Sequence, residues 1–321
     1  STGQRWFEKI LPSLLEQGRR LPFPDAAVRS LDTFLRAAKG RALLYEMLAG
    51  NPPVLRMLLT AFASGPVMSR SLIAHPEWFD EILDTGALSP DFDVAGQEDS
   101  LRRATATDPD DDAAWRRLRR WKEKTLLVLG LLETLAIADE QRLARMTSDL
   151  ADICLRAVAE RMERRLLAEH GAPRPDIQPD GEPLRWTLLG LGGFGGRHVS
   201  HYSDLDVVLI YSEKGHTFGP DGAEGLKASH WYSRLGEEII GVMTAVSPEG
   251  QLFKVDARLR PEGRNAPLAA TLERYLSYYE EGAQTWEWQA ILRARRVAGD
   301  EGLAARFLAS LWERLPARFA D

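Results

Sequence analysis

Hydrophobic residues recur at spacings of three and four along most of the first 170 residues, which is typical of amphipathic helices. Gly50 and Pro52 supply a helix stop followed by a helix start. A stretch rich in Asp, Gly, Ser and Pro over 85–112 predicts a loop with one helical turn. The stretches with the clearest helical spacing are 28–49, 54–63, 67–73, 113–136 and 139–170.

The pattern changes after Gly171, where the proline-rich segment APRPDIQPDGEP predicts a linker. Apolar runs over 186–191 and 206–211 and an alternating run over 251–259 predict strands. Together these patterns predict a predominantly helical α+β fold. We expect a helical domain over 1–170 and a smaller domain with a small mixed sheet over 171–321. Helical spacing returns within that second domain at 226–244, 271–281 and 303–315.

Composition narrows the classes of partner. The chain has 321 residues, 44% hydrophobic and 27% charged, and a net charge of −6, so we expect no broad nucleic-acid surface. The longest apolar run, 126–138, contains Glu133 and is shorter than the about 20 residues that cross a membrane. A single cysteine, Cys154, and a first segment without a signal-peptide pattern predict a cytoplasmic protein.

A glycine-rich stretch followed by paired aspartates carries the candidate chemistry. Glycines at 192, 193, 195 and 196 let backbone N–H groups approach an anion, and Arg197 adds positive charge. Asp204 and Asp206 project to one side of an extended segment, where they can share divalent cations. A dinucleotide-binding loop fits poorly, because no ordinary helix is predicted after the glycines. A structural turn cap is the alternative interpretation of the two aspartates.

A third carboxylate occurs in the run LFKVDARLRP. Asp256 is predicted on a strand face that continues to Arg258 and Arg260. On such a face Asp256 could bind a metal ion, and the two arginines could bind phosphates or carboxylates. A structural ion-pair network is the alternative for the two arginines. The order of glycine loop, Asp-x-Asp and later strand Asp is the layout of polymerase-β-like nucleotidyltransferases, in which three carboxylates hold two metals.

Three ordered segments then resemble the glutamine synthetase adenylyltransferase and adenylyl-removing family. They read GLGGFGGRHVSHYSDLDV, VDARLRPEGRNAPL and WEWQAILRARRVAGD. The helical segments GRALLYEMLAGNP and HPEWFDEILD also resemble helices ahead of the family's nucleotidyltransferase domain. The resemblance covers about residues 28–300 and implies a polymerase-β-like topology.

The resemblance implies a set of site residues. Asp204, Asp206 and Asp256 correspond to metal-binding and catalytic aspartates. Residues expected at the nucleotide are Gly195, Gly196, Arg197, Ser203, Arg258 and Arg260. The implied reaction transfers AMP from ATP to a tyrosine of glutamine synthetase with Mg²⁺, and a PII-type signal protein is an implied partner.

Two departures from the family keep alternatives open. Gly193 stands where the family motif has lysine, and His198-Val199 follows Arg197 where the family has glutamate. These departures leave a degenerate nucleotide-sensing or partner-binding module as one alternative to an adenylylating enzyme. The opposing deadenylylating half is the other alternative, because the resemblance implies the same Asp-x-Asp layout in both halves. We favour adenylylation because the helices resemble those ahead of the attaching half.

We also expect a fragment or a shortened relative, because the family's helical region after the third motif does not follow. Core packing is the default prediction for Trp286 and Trp288.

Overall fold

The computed structural model describes residues 2–108, 110–176, 178, 180–200, 203–219, 222–263 and 266–318. The chain divides into two compact units. The first unit consists of Ser1–Val94 and Trp121–Leu143. The second unit consists of Ala95–Arg120 and Ala144–Asp321. The predicted division at residue 170 stays a prediction.

The described helices and strands follow one another in a helix-rich first half and a mixed second half. The helices are α1 (Thr2–Gly18), α2 (Pro24–Ala37), α3 (Arg41–Gly50), α4 (Pro52–Ala63), α5 (Pro66–Ala74), α6 (Glu77–Asp84), α7 (Glu98–Ala106), α8 (Asp111–Thr134), α9 (Glu140–His170), α10 (Gly192–Gly195), α11 (Ala228–Thr244), α12 (Leu272–Glu281), α13 (Thr285–Ile291) and α14 (Glu301–Arg318). The strands are β1 (Arg174–Pro175), β2 (Trp186–Gly190), β3 (Leu205–Tyr211), β4 (Gly215–Phe218), β5 (Glu224–Lys227), β6 (Val255–Asp256), β7 (Ala269–Thr271) and β8 (Arg295–Gly299).

The first unit is built of short helices around an aromatic centre. Phe34 of α2 lies 5.8 Å from both Phe62 of α4 and Phe79 of α6, measured between ring centroids. Proline occupies the first turn of α2, α4 and α5, where its missing N–H costs no helical hydrogen bond. Gly40, at φ +82°, separates α2 from α3. The hydrophobic pattern over 28–49 therefore belongs to two helices.

The second unit holds the sheet that carries the candidate site. Strand order is β6-β3-β2-β8, and β7 also pairs with β3. The β2–β3 and β2–β8 pairs are antiparallel, whereas β3 runs parallel to both β6 and β7. A separate three-stranded sheet has the order β1-β4-β5.

Both faces of the central strands are covered, which explains why β2 and most of β3 are continuously hydrophobic. On one face, Val208 and Ile210 pack in a cluster with aromatic residues of α12, α13 and α14, namely Tyr275, Tyr279, Trp288 and Phe307. Tyr211 stacks on Tyr232 of α11, with ring centroids 4.8 Å apart. The loop between β2 and β3 therefore starts and ends on strands that are packed on both faces.

The predicted α+β class is confirmed, and the described residues before Arg174 contain no strand. The prediction of a loop over 85–112 is wrong in part, because α7 occupies nine of those residues. The predicted strand over 251–259 shortens to the two residues of β6. Trp288 is buried as predicted, but Trp286 is 58% exposed, so core packing is wrong for that residue. None of the described helices is long and apolar enough to span a membrane.

Candidate functional site

The glycine loop, residues 191–197, starts where β2 ends and is hydrogen-bonded to the second residue of β3. The Leu191 N–H donates to the carbonyl oxygen of Asp206 at 2.9 Å. The chain then makes the single helical turn α10 and closes with a hydrogen bond from the Gly196 N–H to the Gly192 carbonyl oxygen at 3.1 Å. The loop is thus folded directly against the segment that carries the paired aspartates.

Two glycines of the loop are required by close contacts. Gly192 has φ +54°, and a Cβ there would lie 2.9 Å from Asp206 Oδ2. A Cβ on Gly195 would lie 2.3 Å from the Arg293 carbonyl oxygen and 2.7 Å from that of Gly190. Larger residues at these two positions would displace either the Asp206 carboxylate or the backbone beside it.

Two of the three predicted aspartates are strand neighbours. Asp206 of β3 is in register with Asp256 of β6 in a parallel pair. Asp204 lies just before β3 and is exposed. Burial raises the pKa of Asp206, and the negative charges of Asp256 and Asp204 raise it further. The three carboxylates are therefore close enough to repel one another.

Arg258 neutralises part of this negative charge. Its Nε lies 2.6 Å from Asp256 Oδ2, and its backbone N–H donates to Asp256 Oδ1 at 2.9 Å. The Arg258 side chain is 57% exposed, whereas that of Asp256 is 13% exposed. Hydrogen bonding to Asp256 raises the pKa of Arg258. Arg258 can therefore bind an anion only if it contacts the anion and Asp256 together, or if its bonds to Asp256 break.

The second arginine of the pattern, Arg260, is directed elsewhere. It is buried, and its Nη1 and Nε donate to the carbonyl oxygens of Ala257 and Ala266 at 2.5 and 3.1 Å. Ser203 accepts the Ser200 N–H at 3.1 Å, and its hydroxyl lies 2.8 Å from the Ser200 hydroxyl. Both residues therefore shape the backbone that leads to an aspartate.

Arg197 ends the loop in an unusual backbone conformation for a residue with a side chain, at φ +58°. Its guanidinium pairs with Asp149 of α9, a residue that belongs to none of the three sequence motifs. Asp152, one helical turn further, is buried and binds Arg295 of β8. A sequence signal for Asp152 exists, because it is a charge placed among Ala151, Ile153 and Cys154.

The described residues contain no group of three His, Cys, Asp or Glu side chains gathered closely enough to hold a metal ion. The chemistry of the donor set nevertheless fits a hard divalent cation. Asp206 and Asp256 supply carboxylate oxygens from adjacent strands, and a cation would offset the repulsion that raises the pKa of Asp206. His201, Tyr202, Arg264 and Asn265, which belong to the predicted motifs, lie outside the described residues.

A comparison of the sequence with known protein families identifies the family to which the chain is related. Residues 55–310 match the family described as glutamate-ammonia ligase adenylyltransferase. The chain belongs to this family. The matched range includes all three candidate aspartates and the whole glycine loop.

Relatives of the chain carry a more detailed name. The chain is 32% identical over 304 residues to the bifunctional glutamine synthetase adenylyltransferase/adenylyl-removing enzyme of Stenotrophomonas maltophilia strain K279a, covering 94% of this chain and 31% of that protein. It is 30% identical over 311 residues to the protein of the same name from Thioalkalivibrio sulfidiphilus, covering 96% of this chain and 32% of that protein. The chain therefore spans about a third of the length of these curated relatives.

Proposed function

We propose that this chain is a Mg²⁺-dependent nucleotidyltransferase that transfers AMP from ATP to a tyrosine of glutamine synthetase in the cytoplasm. The observation that carries the proposal is the register pair of Asp206 and Asp256, with Gly192 packed against the Asp206 carboxylate. Membership of the adenylyltransferase family and the names of the relatives support the choice of reaction. A PII-type signal protein is proposed as a partner from the motif resemblance alone.

Asp204, Asp206 and Asp256 would hold the metal, which when bound supplies positive charge at the phosphates of the nucleotide. Gly195, Gly196 and Arg197 would face those phosphates, and Arg197 would exchange Asp149 for a phosphate oxygen. Arg258 would likewise exchange its partner Asp256 for a phosphate oxygen. Arg260 and Ser203 would act by fixing the backbone next to Asp256 and Asp204.

In the proposed reaction the tyrosine hydroxyl oxygen attacks the α-phosphorus of ATP, and the bond to the departing pyrophosphate breaks. The tyrosine loses its proton as the new P–O bond forms, and a carboxylate of the aspartate set can accept it. The opposing reaction, phosphorolytic removal of AMP, would use a site with the same Asp-x-Asp layout, so the aspartates do not separate the two directions. The direction therefore rests on the helical segments GRALLYEMLAGNP and HPEWFDEILD, which resemble those ahead of the attaching half.

The test uses two parallel reactions with the same chain. One contains α-labelled ATP, Mg²⁺ and unmodified glutamine synthetase; the other contains adenylylated glutamine synthetase, Mg²⁺ and phosphate. Label on the synthetase is expected in the first reaction. Release of ADP in the second reaction without labelling in the first would reverse the direction, and silence in both would favour a non-catalytic module.

Variants of the aspartates separate catalysis from folding. Asp256→Asn should abolish labelling, and the double variant Asp204→Asn/Asp206→Asn should lose metal-dependent ATP binding while retaining the far-UV circular dichroism of the parent. The exposed Asp99→Asn on α7 is a matched control that removes one carboxylate away from the site. Unchanged metal-dependent binding in the double variant would contradict the assignment of these aspartates.

A further inference from the structure

A buried ion pair behind the glycine loop connects α9 with β8. Asp152 is 2% exposed, and its two carboxylate oxygens accept hydrogen bonds from Arg295 Nη1 and Nη2 at 2.7 and 2.8 Å. An aspartate is seldom buried to this extent unless it is paired. The pair therefore fixes the position of the Arg295 guanidinium group.

Arg295 uses its remaining donors on the loop itself. Nε donates to the Gly195 carbonyl oxygen and Nη2 donates to that of Phe194, each at 3.2 Å. The guanidinium carbon also lies 4.9 Å from the centroid of the Phe194 ring. Because Arg295 is paired in the sheet with Gly190, the arginine contacts the loop from the point where the loop begins. A lysine has no such planar arrangement of donors.

Asp152 and Asp149, which lie one turn apart on α9, also contact Arg197, the charged residue of the glycine loop. Asp149 pairs with Arg197, and Asp152 Oδ2 lies 3.7 Å from Arg197 Nη2. Asp152 therefore meets the loop twice, through the backbone carbonyls held by Arg295 and through the Arg197 side chain. Both contacts lie within the second unit.

Stability alone is a weak explanation for this ion pair. Burial raises the pKa of Asp152 above its ordinary value, although the hydrogen bonds from Arg295 oppose that shift. Apolar residues of similar size often stabilise a protein as much as a buried ion pair does, or more. The geometry that the pair imposes on the loop accounts better for its presence.

We propose that Asp152 and Arg295 are positioning residues that hold residues 192–197 in the conformation that receives the phosphates of ATP. The inference rests on the proposed function. The proposal adds Asp152 and Arg295 to the residues of the site as a pair that does not contact the nucleotide and acts only through the loop. Its consequence is that nucleotide affinity and fold stability respond differently when the pair is removed.

The experiment compares four forms of the full chain: the parent, Asp152→Leu/Arg295→Met, Arg295→Lys and the control Arg161→Met. Arg161 lies on α9, as Asp152 does, and also forms a partly buried ion pair, but with Asp111. ATP affinity is measured by calorimetric titration with Mg²⁺, stability by urea unfolding, and loop order by hydrogen exchange of the amides of residues 195–198. Those amides all donate to carbonyl oxygens of the loop.

The double variant is expected to unfold at the urea midpoint of the parent or above it, with ATP affinity at least tenfold lower and loop exchange at least tenfold faster. Arg295→Lys should shift affinity and loop exchange in the same direction, and Arg161→Met should change neither. Parent-like affinity and loop exchange in the double variant would overturn the proposal. So would a double variant less stable than the parent, if Arg295→Lys leaves affinity and exchange unchanged.

Failure of the proposed function has a separate signature. A parent chain that neither binds ATP nor labels the synthetase refutes the proposed function. Loop exchange then decides the positioning role alone, since faster exchange in Arg295→Lys supports it and unchanged exchange overturns it.

Discussion

Gly192 and Asp206 lie so close that a Cβ on the glycine would be 2.9 Å from Asp206 Oδ2. Gly192 also has φ +54°, a conformation that costs about 1–2 kcal/mol for a residue with a side chain. Gly192→Ala should therefore lower the free energy of unfolding by about that amount and weaken Mg²⁺-dependent ATP binding at least tenfold. Urea unfolding and calorimetric titration measure the two effects.

The neighbouring Gly193 is the matched control. A Cβ there would meet only the His198 carbonyl oxygen, at the ordinary contact distance of 3.7 Å, and its φ is not positive. Gly193→Ala should stay within about 0.5 kcal/mol of the parent in stability. If Gly193→Ala weakens ATP binding as much as Gly192→Ala does, the contact with Asp206 is not the cause.

Gly193 also permits a test of the departure from the family motif. Since the position is exposed and open, Gly193→Lys can be accommodated without displacing the backbone. A lysine ammonium that reaches a phosphate should contribute roughly 1.5 kcal/mol, equivalent to about tenfold tighter ATP binding. Gly193→Gln, which has a similar length and no charge, should leave the affinity near that of the parent. Equal tightening by both variants would exclude a charge effect.

Hydrophobic spacing was enough to predict the α+β class, whereas the roles of the site residues stay predictions. Alternating carboxylates after a glycine-rich turn are a local pattern, so Asp204 and Asp206 could be recognised from spacing alone. The pairing of Asp206 with Asp256 joins residues 50 positions apart and depends on strand order. Motif resemblance, and not periodicity, made that connection.

Other features depend on tertiary contacts that periodicity does not contain. The run over 251–259 alternates like a strand, but only the two residues of β6 pair with β3. Arg260 was expected to face phosphate with Arg258, yet its guanidinium is buried on backbone carbonyls. Trp286 and Trp288 are two positions apart on a helix, so they point to different sides and only Trp288 enters the core.

A buried carboxylate in the third motif offers a test of stability away from the aspartates. Glu287 is 5% exposed and accepts hydrogen bonds from the Tyr278 hydroxyl at 2.8 and 3.0 Å and from the Gln284 N–H at 2.7 Å. Tyr278→Phe should lower the free energy of unfolding by about 1.5–3 kcal/mol, because a buried charge loses a donor. Urea unfolding measures this change, and a double-mutant cycle with Glu287→Ala, which removes both acceptor oxygens, measures the coupling of the two side chains. Additive losses in that cycle would show that the two side chains are not coupled.

The pH dependence of stability should contain a contribution from Glu163 on α9. Burial raises the pKa of this carboxyl group; the hydrogen bond from Trp186 Nε1, at 2.6 Å, opposes the shift, and the nearby Glu160 adds to it. A carboxyl group with a raised pKa binds more protons when folded than when unfolded. Its contribution to stability is therefore lost as pH rises from the ordinary glutamate value, about 4.3, through the raised value.

Glu163→Gln keeps an acceptor for the Trp186 N–H and removes the titration. We expect the variant to be more stable than the parent at pH 7, with the difference shrinking as pH falls toward 4.5. Urea unfolding across that range measures the difference. Glu237→Gln, at an exposed position of α11, makes the same change in net charge and should show no such trend. A difference that grows as pH falls would mean that the Trp186 hydrogen bond, and not burial, dominates the pKa of Glu163.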